Sequence, residues 1–213
     1  MKIIKRYIAL LLLLLLTAFG ISLAIKSGIG LAAFDAFNQT VADTIGLKVG
    51  TIMMFVQTFF VLLQIIILKK EITFDIFLQI PMVSLLGQFI NLFVYTLFSD
   101  LSFSSYALRL FVFIFSQFWT SFFVGAILVL NLIAMPVENL SFILSKRISF
   151  SLGMIRQSID IILILLSIII TYSFSVPLNI REGTVISAMV FGPMLGFFMN
   201  WIKVYFRKWK LID

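Results

Sequence analysis

Cysteine and histidine are absent from the 213 residues, and those two absences remove much of the chemistry available to a polypeptide. Without a thiol or an imidazole the chain has no zinc-finger ligands, no thiol nucleophile, no histidine base, no axial haem histidine and no disulfide. Charge is scarce too: Asp, Glu, Lys and Arg together make up 12% of the sequence, against about 25% in soluble domains. Hydrophobic residues reach 62% and mean hydropathy is +1.18, which excludes a water-soluble globule. The net charge of +7 does not point to nucleic acid, because the basic residues stand at the ends of apolar runs, where charge sets membrane orientation. No metal, cofactor or enzymatic chemistry is expected, and the bilayer is the expected environment.

What is there is six long apolar runs: Tyr7–Ile25, Gly50–Leu68, Phe74–Phe98, Ala107–Ala134, Met154–Phe174 and Thr184–Val204. Each is long enough to cross a hydrocarbon layer of about 30 Å as a helix rising about 1.5 Å per residue. The first follows Lys2, Lys5 and Arg6 and exceeds the length of a signal-peptide core, so it reads as a retained signal anchor. With the amino terminus inside, twelve of the Lys and Arg residues fall on the cytoplasmic side. Only Lys26, Lys48, Arg109 and Arg181 fall outside. That bias predicts cytoplasmic termini in a cytoplasmic membrane. Trp201, Tyr205 and Trp209 recur every four residues among basic side chains, the pattern of an interfacial aromatic anchor.

The second half of the chain matches the first at an offset of 103. Phe34, Phe37, Val41 and Ile45 then fall on Val137, Leu140, Leu144 and Ile148, a spacing that marks one face of a helix. On the opposite face Asp35 falls on Glu138 and Asn38 on Ser141, while Gln57 falls on Asp160. The predicted architecture is therefore one all-α transmembrane domain over residues 1–213, built of two three-helix repeats, about 7–98 and 107–204, each with a short amphipathic helix between its first and second spans. Three spans per repeat make the second copy enter the membrane from the opposite side, so the repeats are inverted. Such symmetry recurs in secondary transporters; a duplication that merely made a stable bundle is the plainer alternative.

Lys26-Ser27-Gly28-Ile29-Gly30 leading to Phe34-Asp35, with Met135-Pro136-Val137-Glu138, Gly153, Arg156, Asp160 and Gly192-Pro193 in the second half, resembles the bacterial YczE/YyaS/YitT group of integral membrane proteins, and most closely its short YczE-like members. The resemblance covers about residues 20–200 and implies a fold and a topology, with no established substrate. Ala33-Phe34 stands where that group has Pro-Trp, and Glu138 where it has Asp.

Candidate functional residues are the polar ones that apolar spans hold at a cost. Arg156 and Asp160 share one helix face, and a charge in hydrocarbon costs about 2.5–3.5 kcal/mol even on insertion scales. They read as a paired functional site or as a neutralised interfacial pair that sets the depth of the helix. Ser84, Gln88, Asn91 and Tyr95 form a stripe on the third span, Gln57 and Gln64 on the second, and Ser116 and Thr120 on the fourth; they read as a solute pathway or as inter-helix hydrogen bonds. Lys26, Gly28, Gly30, Asp35, Pro136 and Glu138 mark the repeat loops. There the amino-terminal NH groups of a dipping helix, with Lys26, would suit an anion, and a flexible turn is the alternative. Gly192 and Gly196 form a GxxxG packing motif around Pro193, with the proline as a kink. The leading functional expectation is a small secondary transporter or exporter of an unidentified solute. The alternative is an accessory protein that binds a partner complex, and homo-oligomerisation stays open beside both.

Overall fold

Each long apolar run folds into a helix, because backbone NH and C=O groups in hydrocarbon are satisfied only within the segment that carries them. The computed structural model describes residues 2–208; Trp209 and Lys210, assigned to the aromatic and basic end of the last span, lie outside the described residues. The helices are α1 (Lys2–Ser27), α2 (Ala33–Ile45), α3 (Val49–Leu68), α4 (Phe74–Leu92), α5 (Tyr106–Leu130), α6 (Pro136–Arg147), α7 (Leu152–Phe174) and α8 (Glu182–Lys208), with no strand among the described residues. Six of them are long and apolar enough to cross a membrane, so this is a multi-pass membrane protein. The two short helices, α2 and α6, fall where the amphipathic spacing predicted them.

Local chemistry sets the ends. Gly28 (φ 62°) and Gly30 (φ 122°) turn the chain out of α1, and Gly46 (φ 75°) closes α2 with its N–H on the Ala42 carbonyl, backbone that disfavours any residue with a Cβ. Ser105 and Ser151 cap α5 and α7 by accepting from Leu108 N and Met154 N. Pro136 occupies the first position of α6, where its missing N–H costs nothing. The fourth span ends at Leu130, four residues short of the predicted Ala134, because Asn131 takes a left-handed cap (φ 46°, ψ 46°). The third departs from α geometry at its end, where Phe93–Leu97 forms a π turn.

The helices gather into two compact units that do not follow the sequence halves. The first holds α1, the end of α4, α5 and α8. There α1 and α5 lie antiparallel: Arg6 reaches Leu130, Trp119 reaches Leu16 and Arg109 reaches Ser27. Helix α8 runs parallel to α5, with Gly183 against Phe113 and Gly125 against Leu195 and Met199.

The second unit holds α2, α3, the start of α4, α6 and α7. Its helices close a ring in which α2 touches α3 and α7, and α6 touches the same two. Exchanging α2 with α6 and α3 with α7 maps the ring onto itself. An apolar seam of Phe60, Val137 and Leu140, flanked by Phe34 and Ile159, packs its inside.

Candidate functional site

The polar side chains of the second unit meet in three places. The first is a charge cluster centred on Arg156, near the start of α7. Asp160, one turn on, takes a close hydrogen bond from Arg156 Nη1; Glu138, in the first turn of α6, lies 3.7 Å from Arg156 Nε. All three side chains are about one-third exposed. Asp35, in the first turn of α2, lies within electrostatic reach of Arg156 and Asp160. Burial pushes its pKa up to about 7; Arg156 opposes the rise and Asp160 adds to it. Arg156 thus acts on the matching acids of both short helices, Glu138 by an ion pair and Asp35 by its field. On α2, one turn beyond Asp35, Asn38 is wholly buried. Its Nδ2 donates to the Phe34 carbonyl and its Oδ1 has no donor.

The second place is an amide network. Gln64 and Gln79 are fully or almost fully buried and exchange two hydrogen bonds, of 3.1 and 3.3 Å. Gln64 Nε2 also donates to the Pro136 carbonyl (3.0 Å) and Asn139 Nδ2 donates to Gln64 Oε1 (2.7 Å). These bonds tie α3, α4 and α6 together and satisfy amides that would be costly if left unpaired. The third is a cavity of about 820 Å³ between α6 and the α3–α4 corner.

The remaining predicted residues divide between the units. Gln57 is buried in the second. Ser84 spends its hydroxyl on the Ile80 carbonyl of its own helix, and Gln88 is exposed. Asn91 and Tyr95 belong to the first unit, as do Ser116, bonded to the Phe113 carbonyl, and Thr120, packed against Gly20. The polar stripes of α3 and α5 therefore sit in different units.

The Lys26–Gly30 loop carries its contacts on carbonyls instead of amides. Arg109 Nε donates to Ser27 O (2.6 Å), and Gly28 O accepts from both Arg109 Nη2 and Arg181 Nη1. Lys26 Nζ lies 3.4 Å from Ser99 O. The α1 terminus has the polarity that draws cations, so this joint holds arginines. Gly192 and Gly196 are open: a Cβ added at either would meet no atom within 4 Å, and the close α5–α8 contacts come from Gly183 and Gly125. The glycines of the GxxxG motif thus meet no neighbouring helix among the described residues.

Over residues 4–200 the chain matches a family of unknown function, DUF6198. It belongs to that family. No curated protein and no solved structure matches it. The DUF6198 match takes in all six spans up to Asn200 and both loop motifs, Lys26–Asp35 and Pro136–Glu138.

Sequence reasoning missed Gln79, Asn139, Arg109 and Arg181. Gln79 carries its own signal, an amide amid apolar neighbours on a membrane helix. Asn139 was hidden because it falls on Ala36 in the repeat comparison. The two arginines sit at span ends, where positive charge reads as topology and its hydrogen-bond partner goes unnoticed.

Proposed function

We propose that this DUF6198 protein is a small secondary transporter or exporter of a polar or amphipathic solute, working by alternating access between inverted repeats in a bacterial cytoplasmic membrane, with both termini cytoplasmic. The observation that carries the reading is that one arginine, Arg156, is shared between equivalent acids of the two short helices: Glu138 at 3.7 Å and Asp35 through its field. Position 156 falls on Met53 at the repeat offset, so the first half supplies no second arginine. Two acids on separate helices competing for one guanidinium, which Asp160 holds from its own helix, make a two-state element. Pairing with Glu138 leaves Asp35 to be neutralised by a proton or a cationic group, and pairing with Asp35 releases Glu138. The antiparallel α1–α5 seam and the self-mapping ring support inversion. The YczE-like motifs support the same topology.

Two experiments test this. Because the chain has no cysteine, single substitutions report topology without background: Ser104→Cys is expected to label from outside intact cells and Ser149→Cys only after permeabilisation. The reverse pattern removes the cytoplasmic termini, and labelling of both from outside removes the inverted topology. Thermal melts of the purified protein against fractionated metabolite extracts are expected to yield a fraction that stabilises wild type but not Arg156→Gln. If no fraction acts and a stoichiometric companion copurifies, the accessory reading takes its place.

A further inference from the structure

The corner where a short helix meets the end of a long one occurs twice in the second unit, and the two copies are built oppositely. Beside α2 the corner is plugged: Asn179, just beyond α7, donates through Nδ2 to Asp43 Oδ2 at 2.9 Å and to Thr40 Oγ1 at 3.3 Å. At the repeat offset of 103, Asn179 falls on Ile76, Thr40 on Ile143 and Asp43 on Lys146. Those three replacements line the cavity of about 820 Å³ beside α6. Apolar side chains that cannot bond across the gap, and a cation in place of an acid, leave that corner open. Its volume lies within the roughly 300–1,000 Å³ of small-molecule sites.

The lining is amphipathic. Leu68, Ile76, Phe142 and Ile143 form apolar wall; Asn139 links the cavity to the buried Gln64–Gln79 pair. Arg147 lies 3.4 Å from Glu71, both well exposed. Lys146 sits 4.3 Å over the Phe142 ring and pairs with no carboxylate among the described residues. Lys69 and Lys70 adjoin the corner in sequence. The level is informative as well: Leu68 ends one membrane helix and Phe74 begins the next, so the cavity opens where two consecutive spans leave the hydrocarbon, the depth of lipid headgroups. A site with a cationic rim and apolar wall at that depth suits a ligand whose anionic group and acyl chain are joined.

We propose that this cavity binds the headgroup of an anionic phospholipid, with Lys146 and Arg147 on the phosphate and the apolar wall against the first part of an acyl chain. The site is separate from the Arg156 cluster and does not depend on transport. To test it, the full-length protein is melted in detergent with phosphatidylglycerol, with phosphatidylcholine or with inorganic phosphate, and the series is repeated on Lys146→Gln/Arg147→Gln and on Asp43→Asn. Phosphatidylglycerol is expected to raise the melting temperature of wild type by binding the folded state. The double variant is expected to need about thirtyfold more lipid, at roughly fivefold per cation near an anionic headgroup, and Asp43→Asn no more than wild type. Equal shifts from phosphatidylcholine, or a double variant that responds like wild type, overturn the proposal. An equal shift from inorganic phosphate assigns the cavity to a free anion and overturns the lipid assignment. Should the double variant fail to fold, the wild-type titration decides at low and high salt: affinity held by exposed cations falls with salt, and a salt-independent response overturns the proposal.

Discussion

The two units of this chain solve the same problem, polar groups among apolar helices, by different means. In the first, side chains serve backbone: Arg6, Arg109, Arg181 and Trp119 all donate to main-chain carbonyls, and Gly20 and Gly183 let neighbouring helices approach closely. A cluster of Phe19, Phe93, Phe98 and Trp119 packs beside them with ring centroids 5.3–5.6 Å apart. The second unit adds side chains that serve side chains, through the amide network and the Arg156 cluster. Bonds to main-chain carbonyls at helix ends hold one geometry. Carboxylates that share a guanidinium have more than one satisfied arrangement, which under the proposed function suits the first unit for a frame and the second for a working part.

The largest test of that contrast lies in the frame. Gly20→Leu drives a side chain into Trp119 and the Thr120 backbone and is expected to destabilise by about 3 kcal/mol, read as a lowered melting temperature in detergent. A tolerated leucine would show the α1–α5 seam to be plastic. Next comes the network: Gln64→Leu strips partners from Gln79, Asn139 and the Pro136 carbonyl at once and is expected to cost roughly 1–3 kcal/mol for the stranded polar groups. Loss near zero would mean that the remaining amides re-pair.

A smaller, pH-dependent effect sharpens the working side. Asp35 has a pKa raised from 3.8 to about 7, so the folded state binds its proton more tightly than the unfolded chain does. The cost of its charge is present in full above about pH 7 and is relieved as pH falls from there toward 3.8. Asp35→Asn is therefore expected to raise the melting temperature relative to wild type at pH values above that pKa, with the gain shrinking in mild acid. A gain that does not change with pH would remove Asp35 as a titrating group. The smallest effect belongs to the open face of α8: Gly192→Ala and Gly196→Ala meet no atoms within 4 Å and are expected to shift stability by no more than about 0.5 kcal/mol. A larger loss would reveal a packing partner for that face.

Most of the fold was legible in advance. Runs such as Leu10–Leu16 admit no other solution in hydrocarbon, and the repeated i, i+3, i+7, i+11 pattern located α2 and α6. The candidate site was legible in part. Arg156 with Asp160 followed from helical spacing alone, because partners four residues apart need no knowledge of tertiary structure. Glu138 as a further partner did not follow, because it reaches Arg156 from a different helix. For the third-span stripe, periodicity shows that Ser84 and Gln88 share a face; that Gln88 is exposed and Ser84 bonds its own backbone is decided by the tertiary structure. The glycine spacing of α8 likewise records closeness along a helix and says nothing of what lies opposite.

By itself, then, the sequence determined the membrane environment, the count and length of the spans and the two short helices between them. Each follows from hydrophobic transfer and from backbone hydrogen bonds closed within a segment. Only the tertiary structure decided which faces meet. It drew two units from both halves, brought Glu138 and Asp160 against one arginine whose field also reaches Asp35, and plugged one corner with Asn179 while leaving its counterpart open. Those outcomes depend on side chains far apart in sequence, whose pairing is set by the packing of whole helices and leaves no local period to be read.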